Sequence, residues 1–352
     1  MLIKVSDPIF QTVLFSIIFL CLLLVSVRKH KNEVFFSKEV TNQLRGFAIF
    51  TIIFAHIGYS LSSDPKFLYP YSILAGVGVN LFLFLSGFGL TLSHLKSPLS
   101  PFSFYKKRLL KLFIPLWIVI TIFLLTDYFV LQRAYPISEI IHSFLGFFPK
   151  ADLFQNLDSP FWYFSVILFY YLIFQLVSFR KILYLSPILI LFLSLLFINN
   201  TPLSIDMDVL KLYKLHYLAF PLGISFGLII QHIKLNLNRM LKTLVFCLTG
   251  AVFLYTSIHS GVNQDPKLEQ IISLVTTFSL VVIFSLSRFN FKLLSLFGVY
   301  SYEIYLLHWP ILSRFNSFLE LPPFLMVTLN LILILFLGYA LQKIIGKIMN
   351  NH

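Results

Sequence analysis

Residues 44–62 read LRGFAIFTIIFAHIGYSLS, with one charge, Arg45, at the first end and one imidazole, His56, toward the other. About 20 apolar residues rising about 1.5 Å each cross a hydrocarbon layer roughly 30 Å thick, so the stretch reads as a membrane-spanning helix. The whole chain reads the same way. Of its 352 residues 58% are hydrophobic and only 12% charged, against about a quarter charged in a soluble domain. Its 41 Phe and 17 Tyr are too much apolar surface to leave solvated, which excludes disorder. Eleven spans are expected, at about 8–27, 44–62, 71–93, 112–131, 160–178, 182–198, 215–231, 243–259, 270–287, 296–313 and 324–342. The expected fold is all-α, a polytopic transmembrane helix bundle.

The net charge of +13 is spread over alternate connections. Arg28, Lys29, Lys31 and Lys38 follow the first span; Lys96, Lys106, Lys107, Arg108 and Lys111 follow the third. Arg180 and Lys181, then Lys234, Arg239 and Lys242, then Arg288 and Lys292, and finally Lys343 and Lys347 continue the alternation. Basic residues stay in the cytoplasm, so the N-terminus is expected outside and the C-terminus inside. A nucleic-acid binder would gather these cations on one face, so no nucleic-acid partner is expected; the lipid bilayer is. Cys21 and Cys247 lie in apolar runs, which argues against a disulfide framework and a thiolate metal site, and no metal is expected. The first run is about twenty residues long, lacks a small-residue cleavage site before Arg28, and reads as a retained helix. The connection 132–159 carries Ile137, Ile140, Ile141, Phe144 and Leu145 at helical spacing, which predicts a short helix lying on the outer surface or re-entering the membrane.

An ionisable group inside a span needs a partner, a wet cavity or a function. Arg45 and His56 are eleven residues apart, about three turns and roughly 16 Å along one helix face. They would mark the two ends of a polar track, with a guanidinium suited to phosphate and an imidazole suited to moving a proton. Read blandly, Arg45 is a topology anchor and His56 an interhelical hydrogen bonder. On the third span Gly76, Gly78, Ser86, Gly87 and Gly89 permit close backbone approach to a neighbouring helix or to a ligand. Arg108 and Lys111 share a face at i, i+3 before Pro115 and could clamp a phosphate or hold the connection inside. In Ser301–Pro310, Tyr305 and His308 share a face while Glu303 points to another neighbour, and Trp309 suits the outer interface.

Taken together these residues resemble the acyltransferase 3 family of integral-membrane acyltransferases. The carrying features are Arg45 and His56 as R-x10-H, the Asn80–Phe88 stretch as V-x-L-F-F-x-x-S-G-F, and the basic segment with Arg108 and Lys111. Phe161-Trp162-Tyr163-Phe164 and Ser301–Pro310, as S-Y-x-I-Y-L-x-H-x-P, complete the set. Leu83, Asn80 and Lys111 depart from the usual residues at their positions. The resemblance divides the chain into an added N-terminal helix with its basic connection (1–39), the acyltransferase domain (40–342) and a short cytoplasmic tail (343–352).

It implies transfer of an acetyl or other short acyl group from a cytoplasmic acyl-CoA, a donor substrate and not a bound cofactor, to a hydroxyl of an extracytoplasmic or lipid-linked glycan. The implied location is a bacterial plasma membrane. His56 and Arg45 would be catalytic; Arg108, Lys111, Ser86 and Gly87 would serve the donor; Trp162, Glu303, Tyr305 and His308 would be acceptor-side or structural. A transporter or flippase of a glycan or lipid-linked sugar would use the same polar track without chemistry. Release of CoA separates the two.

Overall fold

The helices begin where the sequence supplies caps. In the computed structural model, which describes residues 3–29, 35–150, 159–178, 182–201, 204–232, 238–287, 289–314 and 321–350, helix α1 (Pro8–Val25) starts at Asp7, whose carboxylate accepts from the Phe10 N–H. Helix α2 (Lys38–Ala55) starts at Ser37, whose hydroxyl accepts from Val40, with Glu39 in the first turn. Such caps satisfy donors that a helix end leaves bare. The chain continues through α3 (Ala75–Lys96), α4 (Pro101–Phe129), α5 (Ile137–Phe144), α6 (Trp162–Val177), α7 (Ser186–Asn199), α8 (Met207–His216) and α9 (Ala219–Ile229). Helices α10 (Arg239–Ser257), α11 (Pro266–Leu286), α12 (Lys292–Val299), α13 (Ser301–Arg314) and α14 (Pro323–Asn350) follow. The all-α expectation holds, and the short helix expected within 132–159 is present as α5.

Eight helical stretches among the described residues are long and apolar enough to cross a membrane. Every expected span falls on helix, but three fall short of spanning length. Helices α6 and α7 have 16 and 14 residues, and the tenth expected span divides at Tyr300 into α12 and the 14-residue α13. Tyr300 leaves helical geometry at φ −100°, ψ 12°, which periodicity of apolar residues does not foretell. Of the charges used to assign the sides, Lys31, Arg180, Lys181, Lys234 and Arg288 lie outside the described residues.

The chain divides into two compact units: residues 1–85 with 230–338, and 86–229 with 339–352. In the first unit, α2 is the central element. Its Gly46 meets the Leu294 carbonyl of α12, and Gly298 of α12 meets the Asn42 carbonyl of α2, so the two backbones touch where a Cβ would stand. Phe50 and Phe297 continue the contact, with ring centroids 4.2 Å apart. Helix α1 packs on the same helix through Phe15 and Phe54 (5.3 Å) and Phe19 and Phe50 (5.0 Å). A two-stranded antiparallel ribbon, β1 (Val27–Lys29) with β2 (Phe289–Phe291), ties the end of α1 to the start of α12, and the Gln43 side-chain oxygen accepts from the Phe291 N–H. Buried Asn80 of α3 donates to Ser273 of α11 at 3.1 Å.

In the second unit, Gly87 of α3 meets the Phe220 carbonyl of α9, and Gly227 of α9 meets Thr91 of α3. The ring of Tyr170 on α6 stacks on Phe220 at 4.3 Å and 9°. Small residues thus let helix backbones approach in both units, as they do wherever lipid removes the hydrophobic drive for helix association.

Candidate functional site

Helix α2 is regular as far as Ala55, and there the winding changes: His56–Leu61 form a π-helical turn. π-Turns inside α-helices widen the backbone and concentrate at functional positions. The change sets His56 at the junction, half-buried, eleven residues from half-buried Arg45 on the regular part of the same helix. The three-turn separation expected of that pair therefore holds up to the junction.

His56 meets a second imidazole there. Its Nδ1 lies 3.0 Å from Nε2 of His308 on α13, and His308 Nδ1 lies 2.6 Å from the carbonyl oxygen of Tyr305 one turn back. The ring centroids of the two histidines are 5.0 Å apart. His308 is fully buried, Tyr305 is 5% exposed, and Trp309 lies against His56 with centroids 5.1 Å apart. Trp309 is 1% exposed, so it walls this site and does not sit in an interfacial belt, a correction to the sequence reading. Pro310 lies inside α13 and removes one helical N–H just beyond the pair.

The donor and acceptor inventory fixes the direction of the chain. A carbonyl only accepts, so His308 Nδ1 carries a hydrogen. In the neutral ring its Nε2 is then bare and accepts from His56 Nδ1–H. His56 Nε2 is left as the unprotonated nitrogen, on the ring of the pair that is not fully buried.

Glu303 is also buried on α13, two residues from Tyr305 and five from His308, and so on another side of that helix. Arg45, His56, Glu303, Tyr305 and His308 belong to the first unit; Ser86, Gly87, Arg108, Lys111 and Trp162 belong to the second. Within the second unit, Gly87 has a packing task against α9, and its carbonyl accepts from the Thr91 hydroxyl at 2.9 Å. Ser86 beside it is half-buried, Lys111 is exposed, and the Arg108 guanidinium lies 5.9 Å from the Phe104 ring centroid. Trp162 stacks on buried His216 of α8, centroids 6.0 Å apart and planes 17° apart. His216, Tyr170, Tyr213, Ser165 and Ser194 contribute to a largely aromatic and aliphatic cavity of about 200 Å³.

Two members of these groups escaped the sequence. His216 follows the basic residues of α8 and looks like one more polar residue at a helix end, so only its stacking on Trp162 singles it out. Trp309 is next to Pro310 in a sequence that suits an interface, and nothing local signals that it is enclosed.

The family model described as an acyltransferase domain, acyltransferase 3, matches residues 41–343. No curated protein and no solved structure matches the chain. The matched region takes in α2 through most of α14, including the two-histidine pair, and so the chain is a multi-pass membrane protein that belongs to the acyltransferase 3 family.

Proposed function

We propose that the protein moves an acetyl or other short acyl group from a cytoplasmic acyl-CoA to a hydroxyl of an extracytoplasmic or lipid-linked glycan, in a bacterial plasma membrane. The observation that carries this reading is the hydrogen-bonded chain His56–His308–Tyr305, which leaves one bare imidazole nitrogen in a membrane acyltransferase. A base oriented by a second group, itself held by a third, is the recurring arrangement for activating a hydroxyl.

In this mechanism the glycan hydroxyl gives its proton to His56 Nε2 as its oxygen bonds to the thioester carbonyl carbon. His308 accepts from His56 Nδ1–H throughout and so supports the imidazolium that forms. The carbon–sulfur bond then breaks, and the departing CoA sulfur takes the proton from His56 Nε2. The products are an ester and free CoA, and the histidine returns to its starting state.

Arg45, on the helix of His56, holds a donor phosphate as a two-pronged ligand, and within the second unit Arg108 and Lys111 are cations suited to donor phosphates. Ser86 offers a hydroxyl to the thioester carbonyl. Tyr305 and Glu303 shape the acceptor side in the first unit, and Trp162 is an acceptor-side or structural residue of the second.

Purified protein incubated with radiolabelled acetyl-CoA and a glycan acceptor tests the reading. Release of CoA with label on the glycan is expected, together with loss of glycan O-acetyl signals, by NMR, from a strain lacking the gene. Glycan translocation with no CoA release would instead make the protein a carrier.

A further inference from the structure

Helix α1 lies outside the region that the family model matches, which begins at residue 41, yet its contacts converge on the chain that follows His56. The π-turn His56–Leu61 ends in extended backbone at Ser62, and a helix end leaves carbonyls bare. The residues ahead of α1 meet that end. The Ile3 N–H donates to the Leu61 carbonyl at 2.7 Å, and the Ser63 N–H donates to the Ile3 carbonyl at 2.9 Å. The Val5 N–H donates to the Ser63 hydroxyl at 3.1 Å. Ile3 and Ser62 form a parallel bridge, with the Ile3 side chain buried.

One face of α1 continues the grip, through Thr12, Phe15 and Ser16 at i, i+3 and i+4. Thr12 Oγ1 accepts from the Leu68 N–H at 2.9 Å while donating to the Pro8 carbonyl. Ser16 Oγ accepts from the Tyr71 hydroxyl at 3.1 Å while donating to the Thr12 carbonyl. Phe15 packs on Phe54, two residues before His56, and the Tyr71 ring lies 5.9 Å from the same Phe54. The loop held in this way packs back on the π-turn, since a Cβ at Gly58 would collide with the Phe67 carbonyl and with Ser72 Cβ. Leu68 is fully buried and takes φ +62°, a left-handed conformation that is costly for leucine and persists where the surroundings over-determine it. Thr12 is part of what holds it. The π-turn is likewise an uncommon winding. Helix α13 sets one side of it through His308 and Trp309, and the chain tied to α1 sets another.

We propose that residues 3–16, an addition to the acyltransferase domain, position His56. Ile3, Thr12 and Ser16 hold the chain from Leu61 to Tyr71, and that chain keeps the π-turn wound so that the imidazole stays aligned on His308. These are positioning residues, acting through the backbone of the turn. The kinetic consequence rests on the acyl-transfer reading above and deepens it; the hold on the turn does not depend on that reading.

The test uses the full-length protein in detergent, with amide hydrogen exchange over residues 56–72, the unfolding temperature, and CoA release from acetyl-CoA resolved into kcat and KM. Thr12→Val keeps the side-chain shape and removes the hydroxyl, Thr12→Ser keeps the hydroxyl, and Phe19→Leu loosens α1 where it meets Phe50 without touching the bonds to residues 61–71. Thr12→Val is expected to speed exchange across the turn and its loop and to lower kcat about fivefold, the worth of one hydrogen bond, with KM near wild type. Thr12→Ser should restore both, and Phe19→Leu should lower the unfolding temperature while kcat stays near wild type. Unchanged exchange in Thr12→Val overturns the proposal, as does faster exchange with unchanged kcat. An equal fall of kcat in Phe19→Leu also overturns it, because the helix would then act through stability alone. Wild type that releases no CoA sinks the transfer reading alone, and the exchange pattern still decides whether the N-terminal residues hold the turn.

Discussion

Replacing His308 separates an orienting imidazole from a merely space-filling one. In His308→Leu, His56 Nδ1–H loses the acceptor that stands 3.0 Å away and keeps only the Ile52 backbone carbonyl one turn back, so the cost of a wholly unpaired donor is the upper bound on the effect. An unpaired buried donor costs about 1–3 kcal/mol. The ring has two ways to avoid that cost, by turning or by moving its hydrogen to Nε2, and either one withdraws the bare nitrogen from the acceptor hydroxyl. If the penalty falls on the transition state, the rate drops by at most roughly 5- to 150-fold, since each 1.4 kcal/mol is about tenfold. His308→Gln is the control, because a glutamine carbonyl oxygen reaches about as far as Nε2 and accepts from His56 in the same way. The assay is CoA thiol release, with kcat and KM for acyl-CoA read separately. His308→Leu should lower kcat within that range and leave KM near wild type, whereas His308→Gln should recover most of the rate. Equal rates in the two variants would refute the orienting role, as would a His308→Leu effect confined to KM.

The other expectations follow from the same geometry. His56→Ala should abolish acyl transfer while the protein still inserts and unfolds at a normal temperature, checked by label transfer and a melting curve. Arg45→Lys should raise KM for acyl-CoA about tenfold with little change in kcat, because a point charge replaces a two-pronged phosphate ligand. Gly298→Ala would press a methyl group onto the Asn42 carbonyl and should lower stability by about 1–3 kcal/mol or more, seen as a lower unfolding temperature in detergent. Gly89→Ala, where an added Cβ meets no atom within 4 Å, should be neutral or gain up to about 1 kcal/mol of helix propensity.

Long apolar runs made the helices legible, because a bilayer demands length and low charge and the sequence records both. The short amphipathic helix at Ile137–Phe144 was legible for the same reason, through its spacing of isoleucines. Interruptions were not. The break at Tyr300 and the π-turn at His56 depend on backbone angles that apolar periodicity does not encode. Among the glycines expected to allow close approach, Gly78 and Gly87 do so, Gly89 does not, and the tightest contact uses Gly46 and Gly298, which lie in runs with no small-residue pattern. The histidines show the limit most clearly. Each was visible as an ionisable group within a span, but their bond joins positions 252 residues apart, and only the packing of α13 against α2 brings them together.

The mutual seating of Gly46 and Gly298 has a mechanical corollary. Two rods whose main chains interlock at reciprocal notches can neither roll nor slide without first separating, so α2 and α12 travel as one piece. A carrier that rocked its helices apart to pass cargo could not open this seam, and any gate in the first unit must be hinged at some other boundary. The His56 imidazole is therefore carried by a helix fixed to its neighbour, and under the proposed mechanism reagents have to come to it.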